Sequence, residues 1–247
     1  MPRVDQLLVE AGLAASRTAA QRLIAAGRVS WSGGLIKKRA LDLAPETTLT
    51  VAVDPEDRFV SRGGLKLAGA LAETGITVTG KHCLDVGQST GGFSDCLLQA
   101  GARHVVGVDV GHGQLHRQLF GEPRLTAIEG INCRTLSAAD LGAAFPPEGF
   151  GLIVGDVSFI SMTLILPRLP ALLANDGDLL LLVKPQFEVG SANIGKGGIV
   201  RDPALYGEVE NKLRQCAANL GLQVRAWLDS PITGGDGNRE FFIWLNK

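Results

Sequence analysis

The stretch of sequence that decides the fold is Leu84-Asp85-Val86-Gly87-Gln88-Ser89-Thr90-Gly91-Gly92-Phe93-Ser94. Its beginning completes an apolar run from His82 to Val86, which predicts a buried strand. The glycines that follow predict a tight turn into a helix. Glycines at the carboxyl end of a strand allow a ligand to approach the backbone closely. A turn that only joins a strand to a helix also uses glycine, so a structural role is the alternative.

The glycine pattern of this loop excludes two nucleotide-binding motifs. No Gly-Lys-Ser/Thr follows it, which excludes a P-loop. Ser89 stands where the dinucleotide-binding pattern G-x-G-x-x-G has its second glycine, at the point where a pyrophosphate approaches. Asp109, at the end of the next predicted strand, can accept both hydroxyls of a ribose, or it can cap a helix. An adenosine-bearing ligand without a pyrophosphate suits the loop and the carboxylate, and S-adenosylmethionine is such a ligand.

The chain from residue 82 onward alternates predicted strands and helices. The strands are His82–Val86, His104–Val110, Leu125–Ile128, Leu152–Val157, Asp178–Val183, Leu222–Leu228 and Glu240–Leu245. The helices are Gly92–Ala100, Gln114–Phe120, Ile160–Ala174 and Pro203–Leu220. This alternation predicts an α/β fold with a doubly wound, Rossmann-like sheet of seven largely parallel strands. The last two strands follow each other without a helix, so we expect them to pair antiparallel.

Composition bounds the class of protein. With 247 residues, 45% of them hydrophobic and 20% charged, the chain is long enough for one full α/β domain and a small second domain, and disorder is excluded. No apolar run approaches the ~20 residues of a membrane span, and the N-terminus lacks a signal region. We therefore expect a cytoplasmic protein that does not bind membranes. Its four cysteines have no metal-ligand spacing, which predicts free thiols and no metal site.

The near-neutral net charge of −1 hides a basic N-terminal segment. Residues 1–40 carry seven basic side chains (Arg3, Arg17, Arg22, Arg28, Lys37, Lys38, Arg39) against Asp5 and Glu10, a net charge of +5. The pattern predicts two short helices, a hairpin over 28–38 and a strand over 49–53. A polar, proline-containing run at 54–58 marks a boundary. We therefore predict a small α+β domain at 1–55, a linker at 56–62 and the α/β domain at 63–247.

Charged residues follow two of the predicted parallel strands directly. Asp156 comes after an apolar run from Leu152, and Lys184 follows the run that ends at Val183. Adjacent parallel strands would bring these two side chains into contact at the ligand edge, although a purely structural ion pair is the alternative. Lys66, in a helix predicted over 65–74, and Glu240 carry weaker signals, because each taken singly has the pattern of a solvated surface charge.

Six sequence blocks that span nearly the whole chain resemble the TlyA family of ribosomal RNA 2′-O-ribose methyltransferases. The blocks are Ser61-Arg62-Gly63-Gly64-Leu65-Lys66-Leu67, the Asp85 to Phe93 loop, Gly107-Val108-Asp109-Val110-Gly111, Gly155-Asp156-Val157-Ser158-Phe159-Ile160, Val183-Lys184-Pro185-Gln186-Phe187-Glu188 and Gly195-Lys196-Gly197-Gly198-Ile199-Val200-Arg201-Asp202-Pro203. Members of this family are often labelled hemolysins, and their catalytic domain is similar to the FtsJ methyltransferases. The N-terminal segment resembles the RNA-binding module of ribosomal protein S-four, which fits its positive charge.

The resemblance implies site residues, a cofactor and a partner. A catalytic tetrad falls on Lys66, Asp156, Lys184 and Glu240. S-adenosylmethionine would be held by Asp85, Gly87, Ser89, Thr90, Gly91, Gly92, Phe93, Asp109 and Asp156. RNA would be held by Arg3, Arg17, Arg22, Arg28, Lys37, Lys38, Arg62, Lys196 and Arg201. The implied partner is ribosomal RNA or a ribosomal subunit, without an obligate protein partner, and the implied target is a cytidine.

The chemistry explains why such a site needs lysines and carboxylates. A ribose 2′-hydroxyl is a poor nucleophile, so an enzyme must align it with the methyl donor and help to remove its proton. A lysine accepts a proton only when it is deprotonated, which a second cation nearby favours. In this interpretation Lys66 supplies that cation for Lys184. Asp156 and Glu240 hold the ammonium groups, and Asp156 also positions the donor.

Three further features concern recognition. Gln88 stands where the family usually has alanine, and the linker Asp57-Arg58-Phe59-Val60 lacks the Arg-Ala-Trp-Val form of one member. The long, glycine-rich connection from Lys184 to Asp202 is typical of a lid, which we expect to close over the RNA nucleotide; a disordered surface loop is the alternative. Aromatic residues make up only 5%, which favours RNA recognition by charge over base stacking.

Three other functions are alternatives to RNA methylation. A nicotinamide-dependent oxidoreductase would need the pyrophosphate-binding glycine that Ser89 replaces. A ribosome-binding protein with a vestigial enzyme domain would bind RNA without methylating it. A pore-forming hemolysin would need membrane-inserting segments, of which the sequence shows none.

Overall fold

The computed structural model describes residues 2–14, 16–38, 41–52, 58–200 and 202–247. The chain divides into two compact units, residues 1–57 and 58–247. The predicted boundaries at 55, 56 and 62 fall close to this division, although residues 53–57 lie outside the described part. Each unit is considered by itself below.

The first unit packs two helices against a small antiparallel sheet. Helices α1 (Val4–Glu10) and α2 (Arg17–Ala25) precede strands β1 (Val29–Trp31), β2 (Gly34–Leu35) and β3 (Thr50–Val51), in the sheet order β2-β1-β3. Leu8 and Ile24, one from each helix, are buried in the same apolar core as Ile36. The helix pair and the hairpin agree with the pattern of the sequence. Of the strand predicted over 49–53, the last residue lies outside the described part.

The second unit contains the predicted seven-stranded sheet. Its strands are β4 (His82–Val86), β5 (His104–Asp109), β6 (Leu125–Glu129), β7 (Phe150–Gly155), β8 (Leu173–Val183), β9 (Gln223–Asp229) and β10 (Phe241–Asn246). They lie in the order β6-β5-β4-β7-β8-β10-β9. The five strands from β6 to β8 are parallel, and β10 pairs antiparallel with both β8 and β9. The α/β prediction and the antiparallel end of the sheet are confirmed.

Helices cover both faces of this sheet. The α-helices are α3 (Gly63–Thr74), α4 (Gly92–Gln99), α5 (Ala138–Leu141) and α6 (Ala204–Asn219). Side chains of α3 and α4 belong to one apolar core and side chains of α6 to the other. The Asp202 carboxylate accepts a hydrogen bond from the Ala204 amide at the start of α6. Gly75, with φ of 70°, ends α3 in the left-handed conformation that glycine adopts without strain.

Two helix predictions are wrong. The segment predicted as a helix over 160–174 forms two single 3-10 turns, Met162–Leu164 and Leu166–Arg168, and then enters β8. Pro167 and Pro170 each lack an amide hydrogen and clash with the preceding helical turn, so a continuous helix cannot form there. The segment predicted over 114–120 contains only the 3-10 turn Arg117–Leu119. Its backbone is tied to the loop after β4 instead, because the His116 amide donates to the Thr90 carbonyl at 3.1 Å.

The order of the strands places a crevice at the carboxyl end of the sheet. The chain leaves β4 towards β5 on one side and later returns to β7 on the other side. Loops that follow β4 and β7 therefore diverge, and ligands of open α/β sheets bind in the crevice between such loops.

Within the described ranges, no helix has the length and apolarity needed to cross a membrane. The four cysteines are free, and burial raises the pKa of Cys83 and of Cys96 to about 12.

Candidate active site

The loop after β4 approaches the backbone that follows β7 so closely that Gly87 has no room for a side chain. Gly87 has φ of +83°, and a Cβ at this position would lie 2.7 Å from the backbone oxygen of Asp156. The amides of Gly87 and Gln88 both donate to the Val108 carbonyl, which fixes the loop to β5. Ser89 itself has φ of 46°, a conformation that is uncommon outside glycine. The strand end, the loop and the start of α4 thus form one fixed cradle.

Asp85 supports this cradle from below. It is completely buried, and the Ser94 hydroxyl donates to its carboxylate at 2.7 Å. The Gln88 amide donates in turn to the Ser94 oxygen at 2.8 Å. Burial raises the pKa of Asp85 to about 7, and the hydrogen bond from Ser94 partly opposes this rise. Among the described residues Asp85 lines neither of the cavities at the loop, so in the structure it orders the loop through Ser94, and its contact with the methyl donor remains a prediction.

A cavity of about 510 Å³ lies between the loop and the ends of β5 and β7. Asp109 lines it, and its two carboxylate oxygens accept hydrogen bonds from the amides of Ser89 (2.8 Å) and Gly111 (2.7 Å). Asp109 therefore orders the loop instead of capping a helix, and each oxygen keeps lone pairs for a ribose hydroxyl. Val110 and Ile160 add apolar surface. An adenosine without a pyrophosphate fits this lining, which is the chemistry of S-adenosylmethionine.

A second cavity, of about 240 Å³, continues from the first. The two share Gly87, Ser89, Asp156 and Ser158 in their linings. The second cavity is also lined by Thr90, Gly92, Phe93, Lys66, Lys184 and Arg62. A donor whose adenosine lies in the first cavity would therefore direct the rest of the molecule towards the two lysines.

The four residues of the predicted tetrad come together from four separate elements. The Lys184 ammonium lies 2.5 Å from the Asp156 carboxylate and donates to the Ser158 hydroxyl at 2.8 Å. The Lys66 ammonium, on α3, lies 2.6 Å from the Glu240 carboxylate. Burial raises the pKa of Glu240, although Lys66 and Lys184 act in the opposite direction. Two ion pairs thus stand side by side at the carboxyl end of the sheet.

Beyond the lysines a third cavity, of about 530 Å³, opens to solvent. Lys66, Lys184 and Glu240 line its base. The other lining residues are Ser158, Phe159, Gln186, Phe187, Ile194, Gly197, Gly198, Gly235 and Asp236. Phe159 is 91% exposed with φ of 63°, and its ring centre lies 5.2 Å from that of Phe187. Neither ring follows a pattern that would mark it as functional in the sequence, and the low aromatic content favours recognition without a stacking surface.

The glycine-rich connection after Lys184 is folded against the rest of the domain. Ile194 and Val200 form an isolated antiparallel bridge. Asn238, which is almost fully buried, donates to the Gly198 carbonyl at 2.9 Å and accepts from the Val200 amide at 3.0 Å. Lys196 is exposed, and Arg201 lies outside the described residues. The connection therefore borders the third cavity, and closure over a nucleotide remains a prediction.

The predicted RNA-binding residues of the first unit fall into two groups. Arg3 and Arg17 lie 3.4 Å and 3.1 Å from the fully buried carboxylate of Asp5 in α1, so Arg17, which belongs to α2, also links the two helices. Arg28 donates to the Ala52 carbonyl. Arg22, Lys37 and Lys38 form the second group, and their side chains are exposed. RNA contact by these residues remains a prediction.

Comparison with known proteins identifies both units. Residues 59–247 match the model of the FtsJ-like methyltransferases, and residues 2–41 match the S4 domain. The chain belongs to the FtsJ-like methyltransferase family. The methyltransferase assignment excludes the nicotinamide-dependent oxidoreductase, and S-adenosylmethionine is the methyl donor that fits both the family and the cavities.

Individual relatives of this methyltransferase cover nearly the whole chain. It is 44% identical to the 16S/23S rRNA (cytidine-2′-O)-methyltransferase TlyA of Mycobacterium tuberculosis, over 98% of this chain and 89% of the relative. It is 38% identical to Hemolysin A of Brachyspira hyodysenteriae, over 97% of each chain. A solved structure described as a hemolysin from Streptococcus thermophilus shares 39% identity and a TM-score of 0.75, over 100% of this chain and 88% of that one. The predicted family is confirmed.

Proposed function

We propose that this methyltransferase transfers the methyl group of S-adenosylmethionine to the 2′-hydroxyl of a cytidine in ribosomal RNA. The observation that carries the proposal is the pair of lysine–carboxylate contacts at the junction of the donor cavity and the open third cavity. A relative 44% identical to this chain bears the name of a ribosomal RNA cytidine-2′-O-methyltransferase. The third cavity supplies the space that a nucleotide turned out of its RNA stack would need.

In the proposed reaction, some residues of the site would bind the methyl donor and others would accept the proton of the 2′-hydroxyl. The bound sulfonium supplies an electrophilic methyl group. As the 2′-oxygen forms its bond to that methyl, the carbon–sulfur bond breaks and S-adenosylhomocysteine leaves. Lys184 accepts the hydroxyl proton at Nζ, which requires that it enter the step deprotonated. Lys66 lines the same cavity and would place a second positive charge beside the reacting groups.

The two carboxylates would keep the lysines in place. Asp156 contacts Lys184, and its backbone amide donates to the Val86 carbonyl of the neighbouring strand. It therefore ties the base to the same strand end that carries the donor loop. Glu240, which directly precedes β10, holds Lys66. Because the donor loop and the base are each attached to a fixed strand end, a ribose bound between them would be aligned with little further loss of entropy during the reaction.

The S4 domain would hold the RNA while the second unit reacts. Its segment 1–40 carries a net charge of +5, and the remainder of the chain carries −6. Phosphate contacts made by such a segment release counterions, so affinity should fall steeply as salt is added. Ribosomal subunits in the cytoplasm are the substrates that this arrangement and the names of the relatives favour. No obligate protein partner is required by this scheme.

A single lysine substitution tests the proposal. Lys184→Ala should bind S-adenosylhomocysteine with near-normal affinity and lose methyl transfer to ribosomal subunits from a strain without this activity. Lys81→Ala is the matched control, because Lys81 is also ion-paired, with Asp178 at 3.2 Å, but it stands at the opposite end of the strands. Methyl transfer is measured with tritiated donor, and the product nucleotide is mapped by mass spectrometry. Turnover retained by Lys184→Ala would overturn the role of the base, and methyl found elsewhere than on a ribose would overturn the function.

A further inference from the structure

Two polar side chains of the third cavity stand beside each other without a role in the chemistry of methyl transfer. Gln186 lies two residues after Lys184, and Asp236 lies in the turn that leads into Glu240. The amide nitrogen of Gln186 is 3.4 Å from the Asp236 carboxylate. Both therefore share the cavity with the lysines, at the place where the base of a nucleotide would extend from its ribose.

The position of the Asp236 carboxylate is fixed by Asn238. One carboxylate oxygen accepts from the Asn238 backbone amide at 3.1 Å and the other from its side-chain amide at 2.8 Å. Asn238 is itself anchored to Gly198 and Val200. Partial burial acts to raise the pKa of Asp236, but the hydrogen bonds from Asn238 outweigh it and keep this pKa below its ordinary value. At neutral pH the carboxylate is thus charged and accepts hydrogen bonds only.

Gln186 presents the complementary group. Its amide nitrogen points towards Asp236, and its amide oxygen is buried without a hydrogen-bond partner among the described residues. The Gln186 amide nitrogen carries two N–H groups, so one can lie towards Asp236 while the other is left to donate to a ligand beside the carboxylate. Cytosine presents the matching order on its Watson–Crick edge, with the 4-amino donor next to the N3 acceptor. Uracil presents the reverse order, with O4 as acceptor and N3–H as donor.

We propose that Asp236 and Gln186 select the target base, with Asp236 accepting from its exocyclic amino group and Gln186 donating to the adjacent ring nitrogen. Adenine shows the same order of donor and acceptor as cytosine, whereas guanine shows the order of uracil. The pair therefore separates amino-bearing bases from keto-bearing ones. This selectivity rests on the proposed function, since it acts on the nucleotide whose ribose is methylated. A side chain that accepts from an amino group and one that donates beside it discriminate by roughly ten- to hundredfold.

The experiment compares ribosomal subunits that differ at one nucleotide. The methylated cytidine is first mapped on unmodified subunits, and subunits carrying uridine or adenosine at that position are then prepared. Wild-type enzyme should methylate the uridine subunits at least tenfold more slowly than the cytidine subunits, and the adenosine subunits should react faster than the uridine subunits. In Asp236→Asn the side-chain amide can turn its NH₂ group towards O4 of uracil, so the preference for cytidine over uridine should fall at least tenfold.

Two further variants separate selectivity from folding. Gln186→Glu replaces the donor by an acceptor, so it should lower the rate with cytidine and also reduce the preference for cytidine over uridine. Asp176→Asn removes an exposed carboxylate near the start of β8 and should change neither rate. Thermal melting and binding of S-adenosylhomocysteine verify that each variant is folded.

The outcomes distinguish the two proposals. Equal methylation of cytidine and uridine subunits by the wild type, or an unchanged preference in both Asp236→Asn and Gln186→Glu, would overturn base selection by this pair while leaving ribose methylation intact. Absence of ribose methylation on every subunit would overturn the proposed function together with the selection that rests on it. If the preference for cytidine over uridine is lost in both Asp236→Asn and Gln186→Glu, and Asp176→Asn behaves like the wild type, base selection by Asp236 and Gln186 is supported.

Discussion

Lysine–carboxylate ion pairs occur at both ends of the parallel strands, but their surroundings differ. At the amino end, Asp178 has one oxygen 3.2 Å from Lys81, and its other oxygen accepts from the Trp244 indole at 2.8 Å. Both oxygens are thus engaged by side chains of the same domain. At the carboxyl end, the Lys66 and Lys184 ammonium groups each contact one carboxylate and also line open cavities.

This difference separates ion pairs that stabilise the fold from ion pairs that can take part in a reaction. When both oxygens of the carboxylate are bound by side chains of the protein, as in Asp178, the ion pair links neighbouring strands and leaves no oxygen free to bind a substrate. A lysine that faces a cavity can transfer its hydrogen bonds to a ligand when one arrives. The carboxyl end is also the end at which open α/β sheets bind ligands. The comparison therefore predicts that equal substitutions at the two ends have very different consequences.

The largest expected effect comes from Lys66→Met set against Lys81→Met. Lys66→Met should lower kcat at least about a hundredfold, because the cation beside Lys184 is lost. It should also lower the free energy of unfolding by about 3–5 kcal/mol, because Glu240, only 3% exposed, keeps a buried charge without its partner. Lys81→Met should leave kcat unchanged. Tritiated methyl transfer and urea denaturation measure the two quantities.

A double variant separates catalysis from stability at this ion pair. Lys66→Met combined with Glu240→Leu removes both charges, so most of the lost stability should return while turnover stays low. Recovery of turnover in the double variant would show that Lys66 acts only by stabilising the fold. A loss of kcat in Lys81→Met as large as that in Lys66→Met would remove the distinction between the two ends.

How much of this could be predicted from the sequence differs between strands and loops. The apolar runs before Asp156 and Lys184 define buried strands, and a charge directly after such a strand has only the ligand edge to occupy. That pattern alone indicates half of the tetrad. Lys66 and Glu240 carry no such pattern, since a charge in a helix or before an edge strand is usually solvated, and they were predicted only through the resemblance to a family.

The errors and omissions have physical causes as well. The apolar spacing over 160–174 suggested a helix, but Pro167 and Pro170 override that spacing by removing amide donors. Gln186 and Asp236 lie in irregular loops about 50 residues apart in sequence, and only the tertiary fold brings them to one cavity. Loop residues without periodicity give no signal of which neighbours they will meet.

The second prediction concerns the carboxyl end of the sheet, where the buried Asp85 should make the free energy of unfolding depend on pH. Its pKa in the folded protein is about 7, against ~3.9 in the unfolded chain, so folding takes up a proton between these two values. The free energy of unfolding should therefore fall as pH rises from about 4 to 7, by of the order of 4 kcal/mol, and then level off. Asp85→Asn should remove this fall, as measured by denaturation at a series of pH values.

Ser94 sharpens that test, because its hydroxyl lowers the pKa of Asp85. In Ser94→Ala the folded-state pKa should rise further, and the decline in stability should extend to a higher pH than in the wild type. If Asp85→Asn and the wild type lose stability equally between pH 4 and 7, Asp85 does not supply the effect.

The third prediction tests how Gln88 fits the donor loop. A Cβ added to Gly107 would overlap the Gln88 amide, so Gly107→Ala should cost about 1–3 kcal/mol by overpacking. Gln88→Ala should cost about 1 kcal/mol through loss of its hydrogen bond to Ser94. In the double variant the alanine methyl occupies space that the shorter side chain vacates, so the two costs should not add. Urea denaturation of the four proteins measures this coupling, and strictly additive costs would contradict the packing described.

The smallest expected effect is a pH dependence of stability that arises from His104, at the amino end of the parallel strands. Burial, together with the nearby His82, lowers the pKa of His104, whose Nε2 pairs with the Thr126 hydroxyl at 2.8 Å. The unfolded chain then binds the proton more tightly, so stability is lost as pH falls below about 6.5, opposite in sign to the effect of Asp85. In an Asp85→Asn background, His104→Gln should reduce this acid-side loss without changing kcat, because it lies far from the lysines along the strands. An undiminished loss would remove His104 as its source.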